Sequence, residues 1–132
     1  MQSCKRADVS ALSDGRVLLV RVRGVVTLTS IRAVRSAISD RTEGVSAAVL
    51  DYSKAAVAIT EDDLRALSPP PAHDDVPAAW VVPTAEIAES WRRQALRFAL
   101  CGLRRFVCCD PDEAVRWARQ QAELAALPGS RR

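Results

Sequence analysis

The segment VSAAVLD, Val45 to Asp51, carries an apolar side chain at every position from Ala47 to Leu50. Side chains of a strand point alternately to its two faces, so a strand of this composition must be covered on both. Such strands belong to parallel sheets with helices above and below, and each parallel pair needs a long crossover, usually a helix. The rest of the chain must supply those strands and crossovers.

Upstream, KRADVSAL is a weak strand, Ser13-Asp14-Gly15 is a turn signal, and RVLLVRVRG is a strong strand that places Val17, Leu19 and Val22 inward and ends at Gly24. A helix is predicted from Thr27 or Ser30, with Leu28, Ile31, Val34 and Ile38 on one face and Arg32, Arg35 and Asp40 outside. Asp40 to Gly44 is the loop leading into VSAAVLDYS.

Downstream, the chain runs without glycine or proline into Thr60-Glu61-Asp62-Asp63. Thr60 is a good N-cap, and Asp63 at the third helical position completes a capping box. Glu61 and Asp62 then meet the partial positive charge of the helix end, worth ~0.3–1 kcal/mol each. A capped short helix through Leu67 accounts for these carboxylates without a catalytic pair. Ser68-Pro69-Pro70-Pro71 stops it. Within the irregular stretch SPPPAHDDVP, His73-Asp74-Asp75 reads as an exposed polar loop, because three contiguous residues rarely converge on one ion.

AAWVVPTA is the next strand, with Pro83 at its carboxyl end. From Thr84 or Ala85 to Cys101 a helix repeats Ile87, Trp91, Ala95, Phe98 and Ala99 on a core face, turns Arg92, Arg93 and Arg97 away, and is capped by Gly102. LRRFVCCD is the last strand. Asp110-Pro111-Asp112-Glu113 reads as a second capping box, opening a helix with Val115, Ala118 and Ala122 inward and Trp117 beside them. The result is one α/β domain over residues 1–125 with a flexible tail at 126–132. Its mixed, mostly parallel sheet has about five strands and about four helices joined by right-handed crossovers.

Composition removes several classes. The 132 residues suit one core, and 48% hydrophobic with 27% charged residues is ordinary for a globular domain. No apolar run nears the ~20 residues of a bilayer span, and MQSCKRADVS lacks the apolar stretch of a secretory signal. A cytoplasmic location without stable membrane insertion is expected. The net charge of +3 is small, and the cluster Arg92, Arg93, Arg97, Arg104 and Arg105 shares its surroundings with Glu86 and Glu89, a solvated face rather than a nucleic-acid reader. Cys4, Cys101, Cys108 and Cys109 have no CxxC spacing and only His73 to assist, so no metal or cofactor is expected. Cys101 and Cys108 read as small apolar core residues. Of the adjacent Cys108 and Cys109 only one fits inside, which leaves the other as a candidate reactive thiol. With a lone histidine and no Gly-rich phosphate loop, no catalytic set emerges and an enzyme is not expected.

Three segments carry a family resemblance: VLDYSKAAVAITEDDLRAL, AAWVVPTAEIAESW and RRFVCCDPDEAVRWA. In that order they resemble the STAS fold of anti-sigma factor antagonists, especially its SpoIIAA-like branch, over Arg16 to Ala122. The resemblance implies a non-enzymatic regulatory module that binds a protein partner, such as an anti-sigma-type kinase, through the loop and helix around Ser53 to Leu64. Asp51, Ser53, Thr60, Glu61 and Asp62 are its candidate partner-binding residues. In antagonist members a serine near the start of the second helix is phosphorylated and a glycine follows it. Here the serine falls on Asp62 or Glu61 and the glycine on Asp63, which leaves Thr60 as the nearby hydroxyl. Asp62 either supplies a standing charge in place of a phosphate, or the switch is gone. The branch's kinship with lipid-transfer domains implies an alternative, a small apolar ligand or lipid, with Trp80, Trp91 and Phe98 as candidate pocket walls, although plain core is the first reading of each. Whether the chain forms a homodimer is left open.

Overall fold

The computed structural model describes residues 8–41, 44–69 and 76–127. In chain order these form β1 (Asp8–Asp14), β2 (Val17–Val26), α1 (Leu28–Ser39), β3 (Ala47–Asp51), β4 (Ala55–Val57), α2 (Glu61–Ala66), β5 (Ala78–Val81), α3 (Ala85–Ala99), β6 (Arg105–Cys108) and α4 (Pro111–Ala126). The readings of Cys4, of His73-Asp74-Asp75 and of the tail from Pro128 lie outside the described residues.

The sheet runs β1-β2-β3-β5-β6, with β4 attached to β2. The β1–β2 hairpin is antiparallel, and every other pairing is parallel. As the apolar run requires, β3 is buried on both faces. Ala48 and Leu50 join a larger core with Trp80, Trp91 and Phe98, while Ala47 and Val49 join a smaller one with Ala79, Val81 and Cys108. Helices α1, α2 and α3 contribute to the larger core through Val34, Leu64 and Phe98, whereas α4 closes the opposite face through Ala114, Ala118 and Ala122.

Strand β2 departs from the sequence reading in two ways. Its side chains facing the larger core are Leu18, Val20, Val22 and Val26, while Val17 faces α4 and Leu19 is only half-buried there. One-sided alternation fails for β2 because its first half, like β3, is covered on both sides. Nor does Gly24 end the strand. β2 is ten residues long against five for β3, so it pairs with β3 over Val17–Arg21 and then with β4 over Gly24–Val26. Gly24 sits where the partner changes, at φ 89, a region L side chains rarely adopt. The three-residue β4 was read as loop.

Thr27 caps α1 with a box closed by Ser30, and Thr60 caps α2 with the predicted box closed by Asp63. In α3 the buried stripe is Ala88, Trp91, Gln94 and Phe98, so Ala99 is exposed, contrary to the sequence reading. The stripe stops at Phe98, and Leu100 is the C-cap. Gly102, read as the cap, lies two residues on at φ 83, letting the Leu103 N–H return to the Phe98 carbonyl at 3.0 Å. Cys101 lies in this outer turn and is exposed, not core. Cys108, the last residue of β6, is buried, and Cys109, just past the strand, is exposed. At α4 the Asp110 carboxylate accepts from the Asp112 N–H, one position short of a capping box, and Ala114 is buried where Val115 is only half-buried. Trp117 stacks on Phe106 at 5.5 Å. Arg92 of α3 donates to the Val107 carbonyl of β6 at 3.4 Å.

Gly24→Ala is expected to lower stability by about 1 kcal/mol or more, because the backbone must keep a positive φ. Urea unfolding checks this, and a variant as stable as the parent would show that β2 changes partner without that conformation.

Candidate functional site

The two faces of the sheet centre differ in what meets its alanines. On the α4 side, Ala47 and Ala79 share a cluster with Ala114, Ala118 and Ala122, an i, i+4, i+8 stripe that lets the helix approach closely. On the other face Ala48 and Ala78, which are register partners, form a low floor beside the next pair on that face, the larger Leu50 and Trp80. A cavity of about 160 Å³ lies over that floor.

Ile31, Val34 and Ile38 of α1 wall one side, Leu64 of α2 and the following Leu67 another, and Trp91, Gln94 and Phe98 of α3 a third. Three sequence candidates therefore come together here. The Trp80 and Trp91 rings are 5.5 Å apart at 87°, Trp80 and Phe98 are 5.5 Å apart at 79°, and Tyr52 joins Trp91 at 5.1 Å. Edge-to-face contacts of this kind favour ring packing beyond the area they bury.

Two guanidiniums border the rings. Arg105 lies 5.3 Å from the Phe98 centroid and 5.8 Å from that of Trp80, and Arg35 lies 5.8 Å from Phe98. Arg35 also donates to the Ser68 carbonyl at 2.6 Å, and Arg105 to those of Val76 and Arg104 at 3.3 and 2.7 Å.

The sequence reading missed two polar members of this site. Gln94 is 1% exposed, and its side-chain oxygen accepts from Arg97 at 2.6 Å. It stands one turn after Trp91 and one before Phe98, so helical spacing alone places it on the inner face. Tyr52, at the end of VSAAVLDY, is 2% exposed. Burial raises its pKa strongly, and the Arg35 charge offsets this only in part.

The candidate partner-binding residues are mostly occupied within the fold. Asp51 accepts from the Ser53 N–H at 2.9 Å, closing the turn between β3 and β4. Thr60 accepts from the Asp63 N–H at 3.1 Å. Glu61 takes a two-pronged bond from Arg93 of α3 at 2.6 and 2.8 Å, with Arg97 at 4.0 Å. That bond holds the Glu61 carboxyl below its ordinary pKa. Asp62 differs from these. Its side chain is 90% exposed and, among the described residues, meets only Arg65, at 3.5 Å.

Among the described residues no three His, Cys, Asp or Glu side chains gather as a metal would require. Nor is any described helix long and apolar enough to cross a membrane.

No family model and no curated protein matches the chain. A crystal structure does: an uncharacterized protein of the DUF3478 family with a SpoIIAA-like fold, from Shewanella loihica PV-4. It superposes with a TM-score of 0.57 at 10% identity, covering 89% of this chain and 98% of that one. At that identity the likeness is one of architecture, and it agrees with the strand order and helix placement described above. The chain has a SpoIIAA-like α/β fold.

Proposed function

We propose that the chain is a non-enzymatic binding module whose aromatic cavity takes a small apolar ligand. The observation that carries this is the 160 Å³ space over Ala48 and Ala78, walled by Trp80, Trp91 and Phe98. Atoms lining a void lose their dispersion partners, and a bound molecule restores them. Pockets for drug-sized ligands measure roughly 300–1,000 Å³, whereas an apolar cavity of about 150 Å³ takes benzene. The space therefore suits a single ring rather than an extended lipid chain.

Benzene is expected to perturb the fluorescence of the parent protein by binding beside Trp80 and Trp91. Ala48→Val fills the floor, and is expected to abolish that response while raising stability by about 1 kcal/mol through added apolar burial. A variant that still answered benzene as the parent does would remove the cavity from consideration.

A regulatory protein partner of the anti-sigma-antagonist kind is a second reading, favoured by the two-sidedness of α2. Leu64 lines the cavity from this six-residue helix while Asp62 projects from it, so a ligand inside and a protein outside would share one element. Asp62→Lys is expected to release a partner captured from the native host, and a capture indifferent to that change would end this reading.

Arg93 bears on the same helix. With its folded pKa depressed, Glu61 contributes stability in full above its ordinary 4.5 and loses that contribution as pH falls through the lower folded value. Glu61→Gln is therefore expected to be less stable than the parent near neutral pH, with the difference closing in acid. Thermal unfolding across pH reads this out.

A further inference from the structure

Two buried polar groups line the cavity with hydrogen-bonding capacity to spare. Tyr52 and Gln94 are 2% and 1% exposed, and both line the space beside Trp91. Among the described residues the Tyr52 hydroxyl has no hydrogen-bond partner. Gln94 uses its oxygen for Arg97, which fixes the other end of the amide as the N–H donor, and that donor likewise has no protein acceptor among the described residues. Buried polar groups are almost always paired, and the space shared by these two is the cavity. A hydrocarbon would fill the volume and leave both donors unmet. A ring bearing an acceptor would satisfy volume and donors together.

Building on the cavity reading, we infer that the ligand is a single-ring carbonyl compound whose oxygen accepts from the Tyr52 hydroxyl and the Gln94 amide, with the ring among Trp80, Trp91 and Phe98. Binding is non-covalent. Burial keeps the Tyr52 hydroxyl protonated throughout the ordinary pH range, so the donor persists. The Gln94 oxygen is turned to Arg97, and the NH2 group, with two donor hydrogens, is the end of the amide left to meet an acceptor. The site thus discriminates by leaving its polar groups unpaired when the acceptor is missing, the stronger form of selectivity available to a small pocket.

The test compares acetophenone with α-methylstyrene, which replaces the carbonyl oxygen by a methylene on the same skeleton, using the full chain and calorimetric titration. Acetophenone is expected to bind at least about tenfold more tightly, with its carbonyl stretch shifted to lower wavenumber on binding. Tyr52→Phe is expected to cut the preference for acetophenone over the hydrocarbon severalfold and leave the hydrocarbon unchanged. Because that variant removes a hydroxyl without a partner among the described residues, its melting temperature should equal or exceed the parent's. Gln94→Met provides a second variant with the same expected reduction of preference. Equal affinities for the two probes, or a preference undiminished in both variants, would overturn the carbonyl inference while leaving the cavity reading intact, and would assign the two donors to water. If neither probe bound, the cavity reading itself would fall and take this inference with it.

Discussion

Everything in this domain follows from burying the middle of a sheet on two sides with residues of unequal size. Ala47 and Val49 face α4, and Ala48 and Leu50 face the other helices. The first face is closed tightly, because alanine meets alanine along Ala114, Ala118 and Ala122. The second pairs alanine floor positions with aromatic walls, and rings that stand edge-on to one another do not settle onto a flat floor. A void on that side is therefore a consequence of composition.

The elements surrounding the void are tied together by polar contacts at its margin. Arg35 and Arg105 reach backbone carbonyls at Ser68 and Val76 while lying over Phe98, and Arg93 binds Glu61 across from α3 to α2. Exposed ion pairs contribute little individually. Here they fix the positions of helices whose inner faces meet across incompletely filled space.

Much of this was legible in the chain. The unbroken run Ala47 to Leu50 dictated a doubly covered strand, Thr60 with Asp63 announced a helix start, and Trp91 with Phe98 at helical spacing marked an inner face. What escaped detection had physical reasons. β4 has three residues and owes its existence to the unpaired second half of β2, a tertiary circumstance. Gln94 was passed over because glutamine is assigned outward by default, although its spacing placed it inward. Cys101 and Ala99 were assigned to the core because the apolar pattern continues for a turn after the helix has left it. The partner-binding residues were chosen by family likeness, and the likeness could not register that Asp51, Thr60 and Glu61 each have an occupant inside the fold.

The bond from Arg92 to the Val107 carbonyl bears on how the sheet ends. β6 is the last strand of the sheet, and an uncovered final strand offers its backbone as a template to any other copy. In Val107 one acceptor of that template is already engaged by a cation that a second strand would have to displace, bringing its own chain against a positive charge. An arginine counted in the sequence as part of a solvated face thereby occupies one backbone acceptor at the edge where the sheet ends.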